Sequence, residues 1–600
     1  MKKISTSLVA SFFLATNLFS TDTLETITVT SATKTEQSIK DVTSNIDVIT
    51  AEDIEARKFK TVVEALNTIP GIQVSPSGGI GQQTSVFLRG MASNKTLVLI
   101  DGIRLNDPTG LSGANFEHLM INDIERIEVI KGAQSSIWGA DASAGVINII
   151  TKSAQKGTHG NASVEYGRYD SKISKANISH KTDDFDAKLG VTRVDTDGFS
   201  AMTPRGEKAK KYEDDGYENT TANLKLGYNF DQNNRVSTSY EIIDTKVDYD
   251  NSPNSNDKAK TKTHLANVNY ENKNDIAITN VYANYTDITR EYSYGNFDGS
   301  VKEYGVKSTV PYLSETSFIT IGTDYKEFEH KNDLDKQYDN KAIYITNTNK
   351  FFDDKTIFTE SLRYDKYSDF DNKTTGKVGL KQYIVDELNI SSNYGTGYNV
   401  PTIYQLFEPA QDWGWGPSPV GNADLQPEKT KGYDVGLEYK GFSITYFDTK
   451  VNNMIGYGNG YENIEGDSKL KGTEIAYKNS VSEDIFLNLN YTNLSAKNAD
   501  KEYLAKRAKD KVGFGVDYYG LRDFHFNING EYIGTRYERD DEKGASTGNY
   551  TIWNAVVDYD INKTFSTYVK LDNMFNKDYQ IVDGYATSQR AAFVGLKASF

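Results

Sequence analysis

From about Gly160 to its last residue the chain repeats one pattern: segments in which apolar and polar residues alternate, separated by short turns. Ala222, Leu224, Leu226, Tyr228 and Phe230 interleave with Asn223, Lys225, Gly227 and Asn229, and Val512, Phe514, Val516 and Tyr518 with Gly513, Gly515 and Asp517. Trp553–Ile561 and Phe565–Asp572 repeat the arrangement. A period of two describes a strand with two unlike faces. A soluble sandwich would bury the apolar face against a second sheet. A membrane barrel turns it to lipid, ends it in aromatics and leaves the other face wet. Composition favours the barrel, because the 600 residues are only 37% hydrophobic yet include 40 Tyr and 47 Gly, and mean hydropathy is −0.59. Roughly 440 residues at about 20 per strand and connection predict an all-β transmembrane barrel of about 22 antiparallel strands, a size associated with a plugged lumen.

The ends and the missing residue types narrow the function. Met1–Ser20 carries Lys2 and Lys3, an apolar core over Leu8–Leu18 and a small residue at Ser20, the pattern of a secretory signal peptide. The chain has no Cys, which excludes disulfides, thiolate metal sites and a lipid anchor on an N-terminal cysteine. A net charge of −16 argues against nucleic acid as a partner. The six histidines are scattered, and no HExxH, GxSxG or cysteine nucleophile is present, so no enzyme is expected.

Ahead of the repeats lies a different unit. VFLRG (86–90), LVLIDGIRL (97–105), IERIEVIKG (124–132) and GVINIITK (145–152) read as strands, two of them apolar enough to be covered on both faces. NIDVIT reads as a strand, and Ile54, Val62, Val63 and Leu66 place a helix over Ala51–Asn67 that Pro70-Gly71 ends. GIQVSPSGGIGQQ (71–83) is a Gly-rich loop without the trailing Lys-Ser/Thr of a phosphate cradle. DTLETITVT (22–30) is a short β-branched segment that can add to the edge of a partner's sheet.

RG at 89–90, LIDG at 99–102, the IERIEVIKG run and SSIWGADASAGVINIITK (135–152) resemble the plug of TonB-dependent outer-membrane receptors. The resemblance implies a signal peptide over 1–20, a TonB box and linker over 21–41, a mixed α+β plug over 42–155 inside the lumen and a barrel over 156–600. It implies a monomer in outer-membrane lipid of a Gram-negative bacterium. The inner-membrane protein TonB would grip Asp22, Thr23, Leu24, Glu25, Thr26, Ile27, Thr28, Val29 and Thr30. The terminal strand ending on Phe600 resembles the assembly signal of outer-membrane barrels.

GYNVPTIYQLF (397–407) with GNADLQPEKT (421–430) resembles a paired barrel motif of the wider family. GGIGQQTSVFLRG (78–90), GIRLNDPTGLSG (102–113) and GYATSQRAAF (584–593) resemble its cobalamin receptors. The implied substrate contacts are Ser77, Gln82, Gln83, Leu111, Ser112, Tyr585, Thr587 and Arg590, and Trp413 and Trp415 can stack on cargo or equally sit at a loop surface. The expected cargo is cobalamin or another corrinoid, with a ferric siderophore as the alternative. EPAQDWGWGPSPV (408–420) lacks the His that haem receptors place there.

Two sets of charges complete the reading. Asp195-Thr-Asp197-Gly, Glu213-Asp214-Asp215-Gly and Asp244 with Asp248 and Asp250 fall between neighbouring hairpins. Carboxylates from adjacent loops can supply the oxygens Ca²⁺ needs, or can simply be solvated. The resemblance of EDDGYENTTANLKLGY (213–228) to cobalamin receptors implies a loop-ordering Ca²⁺ on Glu213 and Asp215, with Asp244 as a looser match, and the neighbouring acidic loop adds Asp195 and Asp197 as candidate ligands. It also implies plug–barrel pairs between Arg89, Arg126 and Lys131 and the barrel carboxylates Asp434 and Glu474. Lys131 stands where the family usually has Arg and cannot make the same bidentate contact.

Overall fold

The structure, a computed structural model, describes residues 27–313, 317–332, 334–412 and 416–600. The expected signal peptide over 1–20 and the box residues Asp22–Thr26 lie outside them. The alternating segments form one closed barrel of 22 antiparallel strands. Each pairs with its neighbours in sequence, and the ring shuts where Gly157–Gly167 meets Ala591–Ser599, with Val164 opposite Leu596. Closure leaves no strand with a free edge, which is what lets a sheet sit in a solvent that offers no hydrogen bonds. Among the described residues no helix is long and apolar enough to cross a membrane.

The burial of each strand follows its alternation. Leu224, Tyr228, Val516, Tyr518, Trp553, Val557, Val569 and Leu596 stand exposed on the outer face. On a soluble protein so wide an apolar surface would drive association. Around a closed ring it is the lipid-facing belt. The inner face carries Thr, Asn and Lys among fewer apolar residues. One rim has short turns, such as 182–184, 230–233 and 440–441, and the other carries long connections at 197–216, 400–427, 534–549 and 573–590.

Inside the ring sits a five-stranded sheet in the order Ile46–Thr50, Ile124–Lys131, Gly145–Thr151, Thr96–Ile100, Ile103–Arg104. Thr96–Ile100 and Gly145–Thr151 pair in parallel at its centre. The near-continuous LVLI and VINII runs are buried because the sheet is covered on both faces. Leu66, Ile72, Leu88, Phe116, Ile127 and Ile147 form the core. Phe447, Leu470 and Leu494 of the barrel's inner face join the same cluster, which places the plug within the lumen.

The expected helix over Ala51–Asn67 is two helices, Ala51–Arg57 and Val62–Leu66. Thr50 and Asp53 form a capping box at the first. Lys58 ends it in the left-handed region at φ 48, its N–H turned back to the carbonyls of Glu55 and Ile54. Thr61 starts the second by accepting from the Glu64 amide. Ile54 and Leu66 both reach the core, so their spacing continues across the break.

Candidate functional site

Loops of the long-loop rim converge on the upper loops of the plug. A Cβ on Gly78 would lie 2.7 Å from the Ala201 side chain, and one on Gly81 only 2.2 Å from the Tyr217 ring, so this close approach requires glycine. Gln82 Nε2 donates to the Asp248 carbonyl (2.7 Å), and Gln83 Nε2 to Ser112 Oγ (3.4 Å). The Ser77 amide donates to the Gln83 carbonyl (2.9 Å) and the Ala586 amide to that of Ala201 (2.8 Å). Thr587 Oγ1 donates to the Tyr579 carbonyl (2.7 Å), and Tyr585 bridges Met202. Ser77, Gln82, Gln83, Ser112, Tyr585 and Thr587 thus gather at one mouth, with Leu111 exposed beside Ser112. Arg590 sits instead at the wall's rim, its amide donating to Asn576 Oδ1 (2.9 Å) and its carbonyl accepting from Arg168. Trp413 and Trp415 lie outside the described residues.

The mouth also has an aromatic side that the sequence reading missed. Tyr249, Tyr292 and Phe297 meet with ring centroids 6.0 and 6.2 Å apart, and Tyr294 stacks on Tyr292 at 5.0 Å. Tyr404 and Tyr461 continue the series at 6.5 and 6.4 Å. Arg290 lies over Phe297 at 4.9 Å, with its Nε 2.9 Å from Asp107 of the plug. The available signal was parity: Tyr292 shares the inward row of its strand with Ile288 and Arg290. It was hard to see among 40 tyrosines.

Beneath the 197–216 connection lie three carboxylates. The Ala201 amide donates to Asp215 Oδ2 (2.5 Å) and the Met202 amide to Asp250 Oδ2 (2.8 Å). Glu213 Oε1, Asp215 Oδ1 and Asp250 Oδ1 are buried with no hydrogen-bond partner. Burial, with Asp250 and Glu213 adding their charge, pushes the Asp215 carboxyl up to about 8. Burial and Glu213 raise Asp250 as well. The set differs from the expected one. Asp195 faces outward onto Arg193 (3.2 Å) and Asp244 onto Lys262 (3.2 Å), because they share the rows of Leu189 and Ile242 that face lipid. Asp197 remains in the loop, near enough to raise Asp214 after burial has done so. The orphaned oxygens suit a hard cation, although among the described residues no three such groups already stand in coordinating geometry.

Deeper, the plug is tied to the wall by charge. Arg89 and Gly90 both adopt left-handed backbone (φ 49 and 81), a turn that aims the guanidinium at the barrel. Arg89 grips Glu474 in bidentate fashion (3.0 and 2.9 Å) and reaches Asp434 at 3.3 Å. Lys131 Nζ lies 3.2 Å from Glu474 and 2.6 Å from Asp47, single contacts as an ammonium allows. All but Asp47 are buried. Arg126 does not join them: it pairs within the plug, with Glu125 and with Glu128 (2.8 Å), because its strand position points along the sheet's own surface.

The described end of the expected box is folded down. Thr28 and Val29 pair with Gln37 and Ser38, and Val29 is buried. Glu128, fully buried, accepts from the amides of Thr30 (3.1 Å) and Ser31 (2.9 Å), while Trp138 Nε1 donates to the Ser31 carbonyl (2.8 Å).

A lipid-belted ring around a charge-tethered plug, open at a loop-lined mouth, defines a class: plugged outer-membrane receptors. The chain belongs to the TonB-dependent receptor family, whose barrel model (TonB dependent receptor-like, beta-barrel) matches residues 157–574 and whose plug model (TonB-dependent Receptor Plug Domain) matches 38–146. It is therefore an outer-membrane receptor rather than an enzyme. It is 27% identical to the vitamin B12 transporter BtuB of Photobacterium profundum, over 96% of this chain and 95% of that one. With its counterpart in Vibrio cholerae (El Tor Inaba N16961) the identity is 26%, over the same shares. Among solved structures, the siderophore receptor PirA of Acinetobacter baumannii superposes with a TM-score of 0.80 at 17% identity, covering 92% and 98% of the two chains. A mutant of the ferric enterobactin receptor PfeA of Pseudomonas aeruginosa gives 0.79 at 17%, over 92% and 98%. At that identity the likeness is one of fold.

Proposed function

We propose that this receptor imports cobalamin or a related corrinoid as a monomer in the outer membrane, with Ca²⁺ ordering the loops around the cargo. The observation that carries the reading is the charge of the mouth. Of its cations, Arg290 is held by Asp107 and Arg205 by Asp583 (2.8 Å), and Lys208 and Lys210 stand exposed on the 197–216 loop, while the buried uncompensated groups are the carboxylates of Glu213, Asp215 and Asp250. A tris-catecholate ferric siderophore is strongly anionic and requires free cations. A corrinoid brings little net charge and a broad face suited to Tyr292, Tyr294 and Phe297. The relatives named as vitamin B12 transporters, aligned over nearly the whole chain, support the same cargo.

Transport requires no covalent chemistry. Cargo seats among Gln82, Gln83, Ser112 and the loop at 579–587, and a cation on the acidic trio draws 197–216 over it. TonB pulls on the segment of Asp22–Thr30, peeling Thr28–Val29 from Gln37–Ser38 and loading the plug against its ties to the wall. Binding of labelled cyanocobalamin to whole cells, with and without Ca²⁺, tests the cargo. Saturable, Ca²⁺-enhanced binding is expected; its absence, together with binding of a ferric siderophore, replaces this reading by the siderophore one. Deleting residues 22–30 should abolish uptake and leave surface binding intact.

A further inference from the structure

The lumen wall meets the plug in two unlike ways. On Phe442–Gly458, Gly460–Ser480 and Ile485–Lys497 the inward Phe447, Val451, Leu470, Leu494 and Ala496 enter the plug's apolar core. The three wall strands before them, Lys373–Val385, Leu388–Asn399 and Glu428–Tyr439, turn no aliphatic side chain inward. Their register sets Gly395 beside Lys377 and Gly432, Gly397 beside Thr430, and Asn393 beside Gly379 and Asp434. The plug covers this strip with the turn 132–134 and the short helix Ser135–Trp138. A Cβ on Gly395 would come within 3.0 Å of the Ala133 carbonyl oxygen, and one on Gly397 within 3.0 Å of Ser143.

Thr375 Oγ1, Asn393 Oδ1, Asn399 Oδ1 and Thr430 Oγ1 are buried on the strip without a hydrogen-bond partner. A small cavity separates Asn393, Gly395 and Gly432 of the wall from Ala133 and Gln134 of the plug. Buried polar groups are normally satisfied, because an orphan forfeits the hydrogen bonds it had in water. Four on one strip, with glycine between them, describe a surface fitted to something other than the resting plug. Polar contacts close its two ends. Lys95 pairs with Glu428 toward the long loops. Toward the short turns, residues 40–45 cross it. Tyr383 Oη donates to the Lys40 carbonyl (2.8 Å), Asn393 Nδ2 to the Thr43 carbonyl (2.7 Å) and Asn45 Nδ2 to Thr445 Oγ1 (3.0 Å). The segment that leads back to the expected box is bonded to the cover as well. Trp138 Nε1 donates to the Ser31 carbonyl (2.8 Å), and Lys34 lies over the same ring at 4.9 Å.

We propose that cargo crosses the barrel along this strip, hydrogen-bonding in passage to Thr375, Asn393, Asn399 and Thr430 after residues 132–138 draw away from the wall. The inference rests on the energy-coupled import proposed above and not on which cargo is imported. Pulling frees 40–45 one hydrogen bond at a time and reaches the cover through Trp138. The apolar contact on the next three strands keeps the rest of the plug seated. A cargo rimmed with amides, as a corrinoid is, meets acceptors along the whole descent.

Because the chain has no Cys, paired cysteines give single tethers. Ser136→Cys with Ser361→Cys, whose hydroxyls lie 2.6 Å apart, locks the cover to the wall. Asn122→Cys with Thr192→Cys, in contact at 2.9 Å, locks the plug on the opposite side of the ring. Under oxidation the first tether should lower uptake of labelled cyanocobalamin by whole cells to the level of the 22–30 deletion, and reductant should restore it. The second should leave uptake unchanged, and surface binding should persist with both. In energised cells supplied with cargo, a small thiol reagent should label Thr430→Cys and spare Thr192→Cys, both buried at rest. Uptake through the first tether, equal arrest by both, or equal labelling of the two single cysteines would each overturn the proposal; equal arrest would mean that the plug leaves whole. An unsubstituted receptor that binds no cyanocobalamin fails the cargo reading alone, and the tethers are then read with ferric enterobactin.

Discussion

Two buried groups of carboxylates face opposite situations in this molecule. In the seam between plug and wall, Glu474 and Asp434 are met by Arg89 and Lys131. At the mouth, Asp215, Asp250 and Glu213 meet one another, with only backbone amides to temper them. A compensated group is costly to break, because removing one partner strands the other. An uncompensated group is costly to keep, and it relaxes by holding a proton or by taking up a cation. The first is therefore built as a tether, and the second is the seat for positive charge that the proposed Ca²⁺ role requires. The receptor places its fixed strength below the cargo and its adjustable order above it.

Arg89→Ala should produce the largest change. Stranding Glu474 and Asp434 is expected to weaken plug attachment by about 3–5 kcal/mol, read as protease access to residues 42–151 in a barrel that still resists heat. A plug as protected as before would show that the apolar contact with Phe447 and Leu470 is what holds it. Asp215→Asn should have the opposite sign without metal, stabilising the 197–216 loop. It should weaken Ca²⁺ binding roughly tenfold, about 1.4 kcal/mol, in a calorimetric titration; equal affinity would remove Asp215 from the cation site.

The acid titration sharpens the same contrast. Because the folded Asp215 carboxyl lies well above its ordinary value, its contribution to loop order is full below the ordinary carboxylate range. It is lost as pH rises toward about 8. Amide exchange in 197–216 should accelerate across that window without Ca²⁺ and stay flat with it, while Ca²⁺ affinity rises with pH. The smallest effect is expected from Glu128→Gln, which keeps an acceptor for the Thr30 and Ser31 amides while Arg126 retains its pair with Glu125, and costs about 1 kcal/mol. A spin label at residue 28 should become more mobile, with cargo affinity unchanged; unaltered mobility would mean that Trp138 and the pairing with Gln37–Ser38 suffice.

The barrel was legible because a period of two survives any loop length, and the rows of Leu224–Tyr228 and Val594–Leu596 announce which face meets lipid. The plug's strands were legible from apolar runs punctuated by glycine. Its helix break was not, since Lys58 gives no sign of leaving the helix and Ile54 and Leu66 keep helical spacing across it. Gln82, Gln83 and the loop glycines, singled out by resemblance, do stand together at the mouth. The expected carboxylates do not all come together, because the expectation ignored parity. Asp195 and Asp244 continue lipid-facing rows, whereas Asp250 lies past the end of its strand and turns inward. Arg126 sits two residues from Glu128 on one strand, which foreshadowed a pair inside the plug.

The ring closes between the first strand of the wall and its last. Synthesis runs from one to the other, so twenty-one strands emerge before the one that completes the circle. Until Ala591–Ser599 arrives, both terminal strands expose unpaired amides and carbonyls. A truncation of only that final segment would remove little mass and yet forfeit the cylinder.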